Sequence, residues 1–158
     1  MRKLILGCGQ RFKDDESAVR LDINPDHNPD IVWDLNNHPL PFKDEEFDEI
    51  HAYSVLEHLG SQGDEKFFFK EFGEYWRILK LHGTLNACVP DFRSSDQWGD
   101  PSHKRVITIQ TISFLCQDFY DLVGKTSLTD FRYLWDKNFN LVDYAVRQEL
   151  LYFILQKI

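Results

Sequence analysis

Short apolar runs separated by turn residues dominate the first half of the chain. Four such runs occur before residue 60, at residues 4–6, 18–23, 31–33 and 47–55. The first ends in Gly7-Cys8-Gly9, and the second closes on Asp22 and the breaker Asn24-Pro25. Short apolar runs bounded by Gly, Pro and Asp are typical of strands buried in a parallel sheet. The pattern therefore predicts four strands in this half of the chain.

The clearest helical pattern runs from about Asp64 to Lys80, where aromatic and aliphatic residues recur every three or four positions. Gly83 is expected to end this helix. Residues 84–89 then predict a fifth strand, stopped by Pro90.

The last third of the chain predicts two helices followed by two strands. Residues 108–120 suit a helix, and residues 129–136 a weaker one. The closing apolar runs, 139–146 and 150–158, are too close for a crossover connection, so an antiparallel hairpin is expected.

Together these elements indicate an α/β fold in one domain spanning residues 1–158. We expect a Rossmann-like, doubly wound, mostly parallel sheet with a C-terminal antiparallel hairpin. Only twelve residues separate Gly9 from Asp22, and they include the polar run 13–17. A loop or single turn is expected there, so that the first crossover helix is reduced or absent.

Charge and composition narrow the classes of partner. The formal net charge of -8 opposes binding to a phosphate backbone, so a nucleic-acid partner is not expected. The three cysteines are widely spaced, which suits free thiols in a reducing compartment. The sequence shows no apolar segment of the length of a signal peptide or membrane helix, and no metal-ligand spacing. We expect a cytoplasmic protein that contacts no membrane and has no metal site.

Two groups of residues suggest a ligand site at the carboxyl edge of the sheet. Gly7 and Gly9 would let a ligand approach the backbone, and Asp22 could accept hydrogen bonds from ribose hydroxyls. Asp34 could accept from the exocyclic amine of adenine. A tight turn with two loop aspartates explains the same residues without a ligand, so both interpretations remain open at this point.

The order of several motifs is more specific than any one of them. LILGCG, VRLDINP, DIVWDLNNHPLPF, YSVLEHL and EFGEYWRILKLHG follow one another at sensible spacing. Over about residues 3–115 the chain resembles the class I S-adenosylmethionine (SAM)-dependent methyltransferases. It is most similar to the type 11 (UbiE-like) group, in a short bacterial or phage variety with a truncated first crossover.

The resemblance implies that SAM is the cofactor and that a methyl group passes to a small molecule or a modified sugar or nucleotide. It also implies the residues that surround the cofactor: Gly7, Cys8 and Gly9 at the methionine and ribose side, Asp22 at the ribose, Ile23, Asp34 and Leu35 around the adenine, and Tyr53 and Ser54 near the methionine part. Where the family has a third glycine and a helix, this chain has Gln10-Arg11.

Residues near the predicted acceptor suggest how its proton would leave. His58, Asp91 and His103 are candidates for a general base, although each could equally have a structural role. Lys104-Arg105 could bind an anionic acceptor, or could be a solvated surface pair.

Three further hypotheses remain open from the sequence. The chain could bind SAM without catalysing a reaction, because the first helix is missing. A dinucleotide-dependent oxidoreductase is less compatible, because residues 7–12 read GCGQRF and lack a third glycine. A homodimer is the third hypothesis, suggested by an aromatic-rich surface near residues 67–69 and by the thin first crossover.

Overall fold

The computed structural model describes residues 1–12 and 15–158 and contains one continuous sheet with helices packed on it. Three single-turn or short 3-10 segments, at Pro25–His27, Leu56–His58 and Gln117–Leu122, connect the main elements. The helices and strands are β1 (Lys3–Leu6), β2 (Ala18–Asp22), β3 (Ile31–Val32), β4 (Phe47–Tyr53), α1 (Glu65–Ile78), β5 (Leu79–Pro90), α2 (Ser95–Gly99), α3 (Ile109–Ser113), β6 (Phe139–Arg147) and β7 (Leu150–Lys157).

The seven strands lie in the order β3-β2-β1-β4-β5-β7-β6. Strands β1 to β5 are parallel, whereas β7 runs antiparallel to both β5 and β6. The strand order reverses at β1, so the carboxyl ends of β1 and β4 lie side by side at a topological switch point, where ligands bind in open α/β sheets. The predicted Rossmann-like sheet with its terminal antiparallel hairpin is confirmed.

The connection from β1 to β2 contains turns and no helix in the residues described on either side of 13 and 14. The Cys8 backbone N–H donates to the Leu21 carbonyl at 3.2 Å, which joins the end of β1 directly to β2. The chain then turns back, and the centre of the Phe12 ring lies 5.9 Å from the centre of the Tyr53 ring. The predicted loss of the first crossover helix is confirmed for the described residues, while Lys13 and Asp14 of the polar run lie outside them.

The core occupies one face of the sheet. Alternate residues of the strands point into it, because side chains along a strand face opposite sides, and α1 and α3 pack on the same cluster. The fully or nearly fully buried members from these elements include Leu4, Leu6, Ile50, Ala52, Phe72, Tyr75, Leu85, Ala87 and Ile112.

The opposite face of the central strands is mostly polar, apart from the buried Ile5 and Cys88, which suits the missing helix. On β4, His51 Nε2 lies 2.9 Å from Glu49 Oε2 and His51 Nδ1 lies 2.8 Å from the Tyr53 hydroxyl. Lys3 on β1 lies 3.8 Å from Glu49. Side chains that satisfy one another in this way can face water, whereas an apolar face would need a covering helix.

Helix α1 begins where the sequence predicted. The Asp64 side chain accepts a hydrogen bond from the Phe67 backbone N–H, as an N-cap does. The helix ends at Ile78 and β5 begins at the next residue, so Gly83 does not end the helix as predicted. Gly83 instead lies buried in β5, where a Cβ atom would sit 2.9 Å from the Asp48 carbonyl oxygen, so a glycine is needed for close strand approach.

The predicted helix at 108–120 is broken into α3 and the 3-10 segment. The Leu115 carbonyl accepts from the Trp135 indole and from the Phe139 backbone N–H, both at 3.0 Å. The Gln117 backbone N–H donates to the Asn138 side chain at 2.8 Å. These tertiary partners take hydrogen-bonding groups that a continuous helix would use for itself.

One other expectation about the last third of the chain is wrong. Residues 129–136 form turns and no helix, and they place Trp135 in the core with 1% of its surface exposed. Phe69 is buried, and Phe67 and Phe68 are half-buried and pack against the core, so these three rings expose less aromatic surface than the sequence predicts. In the described part of the chain, no helix has the length and apolarity required to cross a bilayer.

Candidate functional site

The turn after β1 needs glycine for two different reasons. Gly7 has a φ of 58° and Gly9 a φ of 51°, the left-handed region that glycine adopts most readily. A Cβ on Gly7 would lie 2.6 Å from Val55 Cγ2, whereas a Cβ on Gly9 would meet no atom within 4 Å. Gly7 therefore packs tightly against the segment that follows β4, while Gly9 borders open space. The Cys8 side chain between them is 1% exposed.

Asp22, at the end of β2, holds this turn in place. Its carboxylate accepts hydrogen bonds from the backbone N–H groups of Gly9 and Asn24, both at 2.8 Å, and His27 Nδ1 lies 3.2 Å from it. Burial alone would raise the pKa of Asp22, but the hydrogen bonds from Asn24 and Gly9 outweigh it, and the pKa is lowered. A carboxylate has about four lone-pair positions, so it can still accept from a ligand.

The residues predicted around the adenine differ in exposure. Ile23 is an aliphatic side chain with 63% of its surface exposed, directly after Asp22. Leu35 is 5% exposed and belongs to the core, so its side chain is not available to a ligand. Asp34 is half-buried and accepts from the Asn36 backbone and side-chain N–H groups at 2.9 and 2.8 Å.

Tyr53 and Ser54 mark the end of β4. The Tyr53 hydroxyl is engaged with His51, as described above, on the polar face of the sheet. Ser54 has a φ of 54°, unusual for a residue with a side chain, and its N–H donates to the Cys88 carbonyl at 2.9 Å. Its exposed side chain lines an open cavity beyond the carboxyl ends of β4 and β5.

The structure brings His58 and His103 together with a third residue, Glu57, in this cavity. The two imidazole rings are 4.8 Å apart at their centres, and His58 Nε2 lies 4.0 Å from Glu57 Oε1. Glu57 is 1% exposed, and neither of its carboxylate oxygens has a hydrogen-bond partner. Burial raises the pKa of Glu57 to about 7. One ligand atom from each of the three residues lies within 4.8 Å of the others, so this group could hold a cation.

Arg105 anchors the loop that carries His103. Its guanidinium donates to the Leu56 carbonyl at 2.8 Å and to Glu71 at 2.6 Å, and the side chain is buried. The Lys104 backbone N–H donates to the Glu57 carbonyl at 2.8 Å. The expectation that Lys104-Arg105 binds an anionic acceptor is therefore wrong for Arg105, whose charge is already paired inside the protein; the Lys104 side chain is exposed.

Asp91 does not join the histidines. Its carboxylate accepts from the Arg93 side chain at 2.7 Å and from the Arg93 backbone at 3.1 Å, and 5% of the residue is exposed. The hydrogen bond from the Arg93 side chain lowers the pKa of Asp91. Asp91 therefore has the geometry of a turn-stabilising residue after β5.

Glu57 is the site residue that the sequence prediction missed. It stands beside His58 in YSVLEHL, but a lone Glu-His pair carries little information, and His103 follows 45 positions later. The signal in the sequence is the position of Glu57 between Leu56 and Leu59, just after the fourth apolar run, since a charged side chain is rarely buried without a partner or a function.

Comparison by sequence finds no family model and no curated protein that matches the chain. Comparison by structure finds many similar folds. A SAM-dependent methyltransferase from Archaeoglobus fulgidus superposes with a TM-score of 0.63 at 16% identity, covering 99% of this chain and 86% of that one. The N-methyltransferase NodS from Bradyrhizobium japonicum WM9, in complex with S-adenosyl-L-homocysteine, gives a TM-score of 0.62 at 13% identity, with 99% and 77% covered.

A third similar structure shows that this fold is not restricted to one reaction. The [4+2]-cyclase SpnF superposes with a TM-score of 0.61 at 13% identity, covering 99% of this chain and 74% of that one. Similarity at these identities establishes the fold that the chain shares with methyltransferases, and the function has to be argued from the site itself.

Proposed function

We propose that the protein is a SAM-dependent methyltransferase of the class I fold, similar to the type 11 group, that acts on a small molecule or a modified sugar or nucleotide. The observation that carries the proposal is the convergence at the switch point of the sheet. There the Gly7–Gly9 turn, the Asp22 carboxylate and the exposed Ile23 side chain follow adjacent strands. A glycine turn, an acid and an apolar surface suit methionine, ribose and adenine respectively.

The proposed reaction is an in-line displacement at a methyl carbon. A lone pair of the acceptor forms a bond to the methyl group while the carbon–sulfur bond breaks, and that electron pair remains on sulfur as a neutral thioether. The acceptor loses its proton to a base. Because the leaving group is neutral, the protein mainly has to align the three atoms and exclude competing water.

The cavity beside Ser54 is our candidate for the acceptor site. It has a volume of about 770 Å³ and is lined by Glu57, His58 and His103 as well as Pro90 and Leu150. Ser54 directly follows β4 and Pro90 ends β5, so this cavity opens at the same edge of the sheet as the glycine turn. In this proposal His58 or His103 accepts the acceptor proton.

The net charge of -8 favours a small acceptor over a nucleic acid, and the exposed Lys104 can still attract a single anionic group. A cytoplasmic location and a homodimer remain predictions.

A SAM-binding protein without catalysis is the second candidate, and one observation favours it. In the described residues no helix follows the Gly7–Gly9 turn, so the chain lacks an element that the methyltransferases it resembles usually have. Binding of SAM without transfer to any member of a broad acceptor panel would favour this candidate.

Calorimetric titration tests the proposal in its first step, cofactor binding. SAM and S-adenosylhomocysteine should each bind at one site, while NAD should not bind. Replacing Ile23 by Ala removes apolar surface against the adenine and should weaken binding by roughly tenfold, the equivalent of one or two buried methylene groups. The matched control is Val32→Ala, since Val32 is also an exposed aliphatic side chain, 54% exposed, but lies within the edge strand β3.

Equal losses in Ile23→Ala and Val32→Ala, or tighter binding of NAD than of SAM, would contradict the proposed cofactor site. Transfer is tested separately, with radiolabelled methyl groups and acceptor panels of phenols, amines, sugars and nucleotides.

A further inference from the structure

Three side chains in the acceptor cavity form a group with the composition of a metal site. Glu57 and His58 belong to the 3-10 segment after β4, and His103 comes from the loop after α2. Their potential ligand atoms lie within 4.8 Å of one another. Ligands about 2.0–2.2 Å from one ion are themselves about 3.0–3.5 Å apart, so modest side-chain rotations would complete the arrangement.

The hydrogen bonds of the two histidines leave one nitrogen of each ring available. His103 Nδ1 lies 3.1 Å from the Gln97 carbonyl, and His58 Nδ1 lies 3.1 Å from the Ser102 hydroxyl and 3.3 Å from the Ser102 carbonyl. A carbonyl oxygen can only accept, and the Ser102 hydroxyl donates its hydrogen to the Asp100 carboxylate at 2.5 Å. In each neutral ring Nδ1 therefore carries the proton and Nε2 presents its lone pair. A backbone carbonyl that fixes the outer nitrogen is the usual support of a metal-binding histidine.

Glu57 supplies an independent indication of a missing partner. It is 1% exposed, and both carboxylate oxygens lack a hydrogen-bond partner. Its position is fixed by the backbone, because its carbonyl accepts from Lys104 and Arg105. Leaving a buried carboxylate without a donor or cation is costly, and a bound cation would remove that cost.

We propose that Glu57, His58 and His103 bind one divalent transition-metal ion, with the remaining coordination positions open to the cavity. Two imidazoles and one carboxylate are a donor set found for catalytic zinc and for non-haem iron, both of which keep positions for water or substrate. Imidazole nitrogen disfavours magnesium and calcium, which prefer oxygen. The ion would lie in the cavity where an acceptor hydroxyl or amine can replace a bound water.

With an ion bound, the two histidines act as ligands instead of bases. The inference concerns the same cavity but rests on the three side chains and not on methyl transfer, so it can be tested without SAM.

Calorimetric titration of the EDTA-treated protein with Zn²⁺, and visible absorption after addition of Co²⁺, test the proposal directly. We expect one ion per chain, and for Co²⁺ the d–d absorption of a site with nitrogen and oxygen ligands. Glu57→Gln and His103→Ala should each weaken Zn²⁺ binding by at least roughly tenfold. Circular dichroism of each variant checks that it has folded.

His51→Ala is the matched control, because His51 also lies beside a glutamate, Glu49, but on the polar face of the sheet. It should bind Zn²⁺ as the wild type does. The proposal is overturned if folded wild-type protein binds no Zn²⁺, if Glu57→Gln binds it equally well, or if His51→Ala removes the binding. SAM titration of the same metal-free protein is a separate readout, so failure of the metal site and failure of the proposed cofactor site are distinguishable.

Discussion

Removing the Arg105 guanidinium should destabilise the protein strongly and loosen the loop that carries His103. The guanidinium is buried, donates to Glu71 at 2.6 Å and also donates to the Leu56 carbonyl at 2.8 Å. Glu71 has no exposed surface, and its other carboxylate oxygen accepts from the Tyr75 hydroxyl at 2.9 Å. The substitution Arg105→Met would therefore leave a buried carboxyl with one neutral donor in place of a cation.

The size of the effect follows from the burial of both partners. Removing one member of a buried ion pair typically costs about 3–5 kcal/mol, because the remaining charge is left without compensation. The free energy of unfolding of a domain of this size is commonly about 5–15 kcal/mol, so Arg105→Met should remain folded at low temperature but lose a large part of its stability. The double variant Arg105→Met with Glu71→Met should recover part of the loss, since it leaves no unpaired charge.

Urea unfolding followed by tryptophan fluorescence measures the effect, with Arg132→Met as the control. Arg132 pairs with Asp130 at 2.7 Å on the surface, where 53% and 41% of the two side chains are exposed, so that control should unfold close to the wild type. A loss below about 1 kcal/mol in Arg105→Met, the range of exposed ion pairs, would refute the anchoring role.

Two further predictions concern the glycine turn and its acid. Gly7→Ala should lower the free energy of unfolding by about 2–4 kcal/mol, because the added Cβ meets Val55 and the backbone has a positive φ. Gly9→Ala should lower it by only about 1 kcal/mol, because only the positive φ is unfavourable there. Equal losses for the two variants in urea unfolding would be inconsistent with the tight contact at Gly7. The pKa of Asp22 is lowered on folding, so its charged form stabilises the protein above the unfolded value of about 4, and this contribution is lost as the pH falls below it. The stability difference between wild type and Asp22→Asn should therefore shrink between pH 6 and pH 3, and a constant difference would count against the hydrogen bonds assigned to that carboxylate.

The sequence alone was sufficient to predict the strands and the absence of the first crossover helix, because both depend on local patterns. The run ending at Gly7 and the run ending at Asp22 are separated by too few residues for a helix, a constraint of chain length that no tertiary contact can change. The terminal hairpin was predictable for the same reason, since a short connection permits only an antiparallel pair.

Interactions between distant residues limited the prediction elsewhere. The helix expected at 108–120 is interrupted because Trp135 and Asn138 take the hydrogen-bonding groups of Leu115 and Gln117, partners that the local period does not reveal. Arg105 is predicted as a surface cation beside Lys104, because its partner Glu71 lies 34 positions earlier in the chain and local patterns do not reveal such a pair.

The candidate site also contains some residues that local patterns predict and others that only the fold brings together. Gly7, Gly9 and Asp22 were predictable because turn glycines and a strand-ending acid are recognisable along the chain. The group of Glu57, His58 and His103 required the fold, because only the anchoring of the 100–105 loop brings its third member to the other two.

The most direct test of the central claim is a nuclear magnetic resonance titration of the labelled protein with S-adenosylhomocysteine. If the cofactor binds at the switch point, the amide signals of Gly7, Gly9 and Ile23 should shift together and saturate at one equivalent, while those of β6 remain in place. Unchanged signals at these three residues with saturating ligand, or shifts confined to another part of the sheet, would contradict the claim.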